Sequence, residues 1–386
     1  MIREAEKSFM KNRRQILQVE RSQEDFPFTR YFIGGQKPER PVFKPDWKSW
    51  PNDQITMAWI GHSTVLVNFF GTWILTDPVF SERVGIRPLG LFTVGPRRLV
   101  DIPLKMEELP RIDLILLSHA HMDHTDMPTL RKLRNARHVL VAKNTIDIYK
   151  PLKFADCQEL EWEETIHYND SDITVEAIQV KHFGWRYPWE PCRGRNENCG
   201  RSFNGYYVSK KDSTGKVRGF AFGGDTTYTD SFARLGDRLR EQGTEIDVAI
   251  MPIGAYNPWI GAHCNPEMAW QMTQEMNAKA ILPVHWNTFV QSSEPRFEPI
   301  EWLKDCVDQR EQIALLNIGE TWSTLAGVES VCLANGKSTN TVSQLIQLEQ
   351  VEPEQTTQEQ LQEQAEDIGP EEAEQEQSSA LSISGA

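Results

Sequence analysis

The sequence predicts an α/β fold in which β-sheets pack against each other with helices outside, and three observations predict it. Short apolar runs of strand length recur from Gln54 onward. The early runs follow one another closely, as hairpins do, while later ones alternate with helical patterns. The third is core size: apolar residues make up 39% of the 386-residue chain, with 12 Trp and 17 Phe. Periodicity alone does not choose among α/β topologies.

Taken in order, residues 1–26 read as a polar, helical arm and residues 27–53, rich in Pro, Trp and Lys, as an extended lead-in. Strands are expected at 55–60, 64–70, 73–76, 112–118, 138–142, 173–180, 206–209, 217–222, 247–252, 280–284 and 313–317. Helices are expected at 128–135, after a proline start, and at 230–242 and 266–276. From Asn335 the composition turns to Gln, Glu, Ser and Thr. Such a segment buries too little surface to offset its ordering entropy, so 335–386 is expected to be a disordered acidic tail. The ordered domain is therefore 27–334.

The formal charge of −14 is concentrated in that tail, where eleven acidic residues between Glu349 and Glu376 meet no Lys or Arg. The remainder holds 44 acidic and 41 basic residues. A nearly neutral body with an acidic tail argues against nucleic acid as a partner. The sequence has neither an apolar run long enough to span a bilayer nor the apolar centre of a secretory leader, which implies a cytoplasmic protein. The six cysteines form no CxxC pair; Cys192 and Cys199 share one polar loop, where a disulfide or small metal site is the alternative to two free thiols. The oligomeric state is not legible.

The chemistry concentrates at His119-Ala120-His121-Met122-Asp123-His124, directly after the apolar run 113–118. A turn leaving a buried strand aims alternate side chains into one pocket, and imidazole with carboxylate suits borderline divalent ions. Further candidates follow other strands: His182 after 173–180, Asp225 in Gly223-Gly224-Asp225-Thr226, and His285 after 280–284. Ends of parallel strands are where α/β proteins commonly place sites. His138 and His167 stand outside any motif and read as surface or structural residues.

These residues resemble the metallo-β-lactamase superfamily. The resemblance implies an αββα sandwich of two packed mixed sheets with helices outside. It implies that His119, His121 and His182 hold one ion, that Asp123, His124 and His285 hold another, and that Asp225 bridges them. Further segments narrow it: Gly61-His62-Ser63-Thr64, Thr76-Asp77-Pro78-Val79-Phe80-Ser81, Gly95-Pro96-Arg97-Arg98, His263-Cys264-Asn265-Pro266-Glu267 and His285-Trp286-Asn287-Thr288-Phe289. They are similar to the branch that contains N-acyl-phosphatidylethanolamine-hydrolysing phospholipase D and UlaG-like hydrolases. The polar segment from Phe183 to Cys199 departs from that branch and is where substrate choice is expected to lie.

By the same resemblance the activity is metal-dependent hydrolysis by a hydroxide activated between two divalent cations, Zn²⁺ first, with Mn²⁺ or Fe²⁺ as alternatives. Asp123 and Asp225 position that nucleophile, and His263 faces the substrate or leaving group, unless it only begins a helix. The expected substrate is a lipid-like or small phosphodiester, with peripheral contact to a membrane. The alternatives are ester or lactone hydrolysis and a metal-holding scaffold without turnover. No GxSxG elbow suggests a protein nucleophile. Two readings stand for Asp77, orienting a ligand or capping a turn, and two for His62, serving the site or packing beneath a sheet. Arg97 and Arg98 either pair with a phosphate or are solvated. Residues 85–94 form either a lipid-facing loop or a packed one.

Overall fold

The hairpin-then-crossover order of the sequence becomes two mixed sheets in the computed structural model, which describes residues 37–88, 91–187, 190 and 200–324. The expected arm and tail, Cys192 and Cys199, and residues 89 and 90 of the 85–94 loop lie outside the described residues. Sheet one runs through β1 (Ile55–Gly61), β2 (Thr64–Phe69), β3 (Thr72–Thr76), β4 (Leu114–Leu117), β5 (His138–Ala142) and β6 (Cys157–Leu160). Sheet two is built from β7 (Thr165–Tyr168), β8 (Ile173–Gln179), β9 (Asn204–Lys211), β10 (Val217–Phe222), β11 (Val248–Pro252) and β12 (Ile281–Val284). The last strand, β13 (Thr321–Ser323), returns to pair antiparallel with β1, giving the orders β13-β1-β2-β3-β4-β5-β6 and β12-β11-β10-β9-β8-β7.

In each sheet antiparallel pairing gives way to parallel pairing, at β3–β4 in the first and β10–β11 in the second. Parallel neighbours end on the same side, so β3, β4, β10 and β12 can feed loops toward one place. The reason is visible in the burial: β1 and β4 are buried on both faces, as strands between two covered faces must be. Met57, Trp59, Val65 and Val67 join Tyr206, Val208, Phe220 and Phe222 in the core between the sheets. Their alternates Ala58, Ile60, Leu66 and Leu75 form the outer core of sheet one with Leu130 and Tyr149. These last come from the short helices α1 (Met127–Lys132) and α2 (Ile146–Tyr149). Helices α3 (Ser231–Glu241), α4 (Pro266–Glu275) and α5 (Glu298–Cys306) contribute Phe232, Met272 and Leu303 to the main core. Helix, sheet, sheet, helix is the layered sandwich that the resemblance implied.

The strand expected at 313–317 is not one. Ile313 makes a single bridge to Ile281 and the Ala314 N–H donates to the Ile281 carbonyl, after which the chain turns away. Burial made this run apolar, and apolar content does not reveal whether a ladder partner exists. Conversely β6, β7 and β13 were not expected, because Cys157–Leu160 and Thr165–Tyr168 alternate exposure and carry few apolar residues. No helix among the described residues is long and apolar enough to cross a membrane.

Candidate metal centre

β4 delivers Ser118 and His119 to the end of sheet one, and the chain then folds into a tight turn. The N–H groups of His124 and Thr125 both donate to the His121 carbonyl, at 3.2 and 2.8 Å. The Thr125 hydroxyl donates back to the His119 carbonyl at 2.8 Å and lies 2.9 Å from the Tyr149 hydroxyl of α2. Asp77 directly follows β3; its carboxylate accepts the Ser118 N–H at 2.7 Å and meets His124 Nδ1 at 2.7 Å. Of the two readings of Asp77, the geometry agrees with orientation of a ligand: with Nδ1 engaged, His124 turns Nε2 toward the centre.

Sheet two supplies the rest, one residue per strand end. His182 follows β8, its Nδ1 donating to the Ala262 carbonyl at 2.9 Å. Asp225 follows β10 after Gly224, which has φ +58; a Cβ there would lie 2.7 Å from Ser118 Cβ and 2.8 Å from the Asn204 carbonyl. Only glycine lets the two sheets' turns approach this closely. His285 follows β12 with φ 64, beside Asn287 at φ 51, while His62 and Asp77 on sheet one have φ 54 and 30.

Ligand-capable atoms of His119, His121 and His182 lie within 4.8 Å of one another, and so do those of His62, Asp123, His124 and His285. Asp225 Oδ2 stands between the groups, 3.1 Å from both His124 Nε2 and His285 Nε2 and 3.9 Å from both His119 Nε2 and His182 Nε2. All seven residues of the expected ligand set thus come together. His263 joins them, its Nδ1 3.8 Å from Asp225 Oδ2 and its ring 5.0 Å from that of His182. His62 bonds Asp123 Oδ2 at 2.9 Å and packs 4.1 Å from the His285 ring, so it serves the site rather than the sheet.

Gln291 was not foreseen. Its Nε2 donates to Asp123 Oδ2 at 2.7 Å, but it sits in an irregular segment after His285 with no local pattern to single it out. The two arginines go elsewhere. Arg97 pairs with Glu82, and Arg98 is buried, donating to the carbonyls of Val79 and Ser81 beneath the loop after Asp77. Arg98 is therefore neither solvated nor a phosphate partner; Nε and Nη2 serve two backbone carbonyls, while Nη1 is buried without a hydrogen-bond partner. His138 meets Asp156 and Asp170, and His167 lies at the surface near Thr174, both as structural residues would. In the 85–94 loop, Leu91 and Phe92 are exposed rather than packed.

Whether the donors fit a cation can be judged from what they lack. His119 Nε2 and His121 Nδ1 are 2.8 Å apart, and His121 Nδ1 and His182 Nε2 are 3.2 Å apart. Nitrogens sharing one tetrahedral zinc sit roughly 3.3 Å from each other, so three converging imidazoles of this spacing suit a small divalent ion. His124 Nε2, both ring nitrogens of His285 and Asp225 Oδ1 are buried without a hydrogen-bond partner. Such orphaned groups cost free energy unless something compensates them. Charge at the three-imidazole group points the same way. Burial lowers the pKa of His119 and His182 and pushes His121 down to about 3, leaving neutral imidazoles. Burial also opposes charge on His285, but Asp225 and Asp123 outweigh it and raise that group to about 9. Burial would raise the two carboxylates, yet the adjacent His124 holds both well below the usual range. The donor set fits divalent metal.

Comparison with known proteins agrees with this geometry. Residues 72–286 match the model of the beta-lactamase superfamily domain. The chain is 29% identical to an N-acyl-phosphatidylethanolamine-hydrolyzing phospholipase D of Caenorhabditis elegans, across 78% of this chain and 85% of that one. It is 30% identical to the mitochondrial protein of that name from Saccharomyces cerevisiae, across 64% of this chain and 50% of that one. Among solved structures, an isothiocyanate hydrolase from Delia radicum gut bacteria shares the fold with a TM-score of 0.52 at 18% identity, over 69% of this chain and 97% of that one.

Proposed function

The chain belongs to the beta-lactamase superfamily, as a metal-dependent hydrolase, and on that premise we propose that it cleaves a lipid-like or small phosphodiester in the manner of a phospholipase D. The observation that carries the catalytic part is the convergence of buried donor atoms without partners around Asp225. In this reading His119, His121 and His182 hold one divalent cation, Asp123, His124 and His285 hold a second, and Asp225 lies between them. Bound there, such ions lower the pKa of water and neutralise charge on the group under attack.

The protein's own groups do the rest. Asp225 Oδ1, buried and without a partner, is placed to take the proton of the attacking water. The water oxygen forms the new bond to phosphorus, and the bond to the leaving alcohol breaks as that alkoxide takes up a proton. Asp123, held by His62 and Gln291, orients the water from the other side. His263, with a free Nδ1 near Asp225, is placed to donate to an oxygen of the substrate. The names of the relatives support a phospholipid-like substrate. So do the exposed Phe183 and Trp185 just after His182, and Trp259 and Ile260 just before His263, which suit acyl chains or a membrane surface.

The test is the purified chain loaded in turn with zinc, manganese or iron. It would be assayed on N-acylated phosphatidylethanolamine, simpler glycerophosphodiesters and size-matched lactones. Metal-dependent release of the alcohol from the phosphodiesters is expected. Turnover of lactones alone would replace this reading with ester chemistry, and metal uptake without any turnover would replace it with a scaffold.

A further inference from the structure

Arg186 lies in the segment after His182, and its side chain reaches back across the metal turn. Nη1 donates to the Ala120 carbonyl at 2.7 Å and to the Thr125 carbonyl at 3.2 Å, and Nη2 donates to Thr125 at 3.2 Å. Those carbonyls bracket the stretch that carries His121, Asp123 and His124. Both residues are fully buried, so water is a poor substitute for the guanidinium. Arg186 is itself anchored: its N–H donates to Glu190 Oε2 at 2.9 Å, and Glu190 Oε1 accepts from Arg201 Nη2 at 2.8 Å. Arg201, buried, also binds Asp147 and the Asn144 carbonyl.

Two neighbours press the same segment onto the centre. A Cβ on Gly184 would lie 1.7 Å from the Arg201 carbonyl, so only glycine permits the approach. The Phe183 ring stands 4.8 Å from that of His121 and 4.7 Å from that of His182. Residues 183–186 therefore touch His121 and His182 and both ends of the turn that carries His121, Asp123 and His124.

We propose that Arg186 is a positioning residue for the metal centre, spanning the ends of the turn and thereby setting how tightly the site holds its cations. The inference rests on the metal-centre reading given above. A planar fork with several donors serves two carbonyls at once; the point charge of an ammonium does not reproduce that geometry. Through Glu190 and Arg201 the same contact ties the segment after His182 to α2, so the loop that shapes access also governs metal affinity.

The experiment measures metal retention by the full chain against a graded series of chelators, for the unmodified protein, Arg186→Ala, Arg186→Lys and Gly184→Ala. Zinc gives affinity, and cobalt(II) absorption gives ligand geometry. Arg186→Ala is expected to hold metal roughly 10- to 100-fold less tightly, the usual size of such an effect, and to alter the cobalt bands. Arg186→Lys is expected to fall between, and free guanidinium to restore part of the loss in Arg186→Ala. Gly184→Ala, which removes no donor but displaces the segment, should shift in the same direction. If Arg186→Ala does not fold, Arg186→Lys carries the comparison. Retention and cobalt bands identical to the unmodified protein would overturn the inference alone. An unmodified protein that retains no metal would overturn the metal-centre reading and this inference with it.

Discussion

At the end of sheet one, His119, Asp123 and His124 are each held by a neighbouring side chain outside the expected ligand set, whereas at the end of sheet two His182 is held by a backbone carbonyl and His285 and Asp225 chiefly approach other members of that set. Ser118 meets His119 at 2.9 Å, Asp77 meets His124, and His62 and Gln291 share Asp123. Against this, neither ring nitrogen of His285 has a hydrogen-bond partner, nor has Asp225 Oδ1. Protein side chains hold one half of the centre more closely than the other. A bound ion would supply the partners that the second half lacks, which couples metal binding to local stability.

Metal removal attacks that asymmetry most directly. Stripping the ions should abolish turnover, and hydrogen exchange should rise more in 283–288 than in 118–125. Equal rises in both segments would break the comparison. Next, Asp225→Asn should lower kcat by about 10²- to 10⁴-fold, the range for a positioned proton acceptor, and also lower the melting temperature of the metal-free protein at neutral pH, because, against burial, His124 and His285 hold this carboxylate's pKa well below the usual range. Asp77→Asn should divide its effects the other way. It should weaken metal retention by roughly 10- to 100-fold, because His124 Nδ1 loses the carboxylate that orients it, yet lower the metal-free melting temperature less than Asp225→Asn does, since burial raises the Asp77 pKa where that of Asp225 is lowered. Comparable melting points for the two metal-free variants would contradict the division of labour.

Gln291→Ala is a gentler probe. It removes one donor from Asp123 and should cost about 1.5 kcal/mol in metal binding, read as a roughly tenfold rise in the metal dissociation constant, at the lower end of the range for Asp77→Asn.

The smallest effect concerns pH. Burial opposes charge on Glu190, but Arg201 and the Arg186 N–H hold its pKa below the ordinary carboxylate value. A lowered folded pKa contributes stability above the unfolded value, near about 4.3, and loses it as pH falls through the folded one. Glu190→Gln should therefore reduce stability at neutral pH and flatten its acid limb below about pH 4.3, as seen in melting temperature against pH.

The legibility of the centre follows the same division. The His119–His124 run was readable because its chemistry is packed into six adjacent residues. His182, Asp225 and His285 were readable only because each closes a strand whose apolar pattern could be seen. Gln291 and Arg186 were not, since their roles depend on where irregular segments cross after the sheets have packed. Arg98 shows the opposite failure: the Arg97–Arg98 pair reads as phosphate-binding or solvated, but three-dimensional burial assigns Arg98 to backbone carbonyls. The fold was legible to the extent that burial alternates. β13 is three residues long and pairs with β1 from more than two hundred residues away, a contact that no local window contains.

The left-handed backbone at His62, Asp77, His285 and Asn287 has a consequence for engineering. Non-glycine residues held there store on the order of 1–3 kcal/mol each; at His62, Asp77 and His285 the strained residue belongs to the centre, while Asn287 lies just after His285 and accepts from Arg296. Lys153 and Glu163 adopt the same conformation, at φ 55 and 67, far along the chain from any candidate ligand. Glycine at those two turns would relieve the strain while keeping their backbone hydrogen bonds to Lys150 and Ala177. Because glycine also adds entropy to the unfolded chain, Lys153→Gly and Glu163→Gly should raise the melting temperature only modestly, while the strained residues at the centre are left as they are.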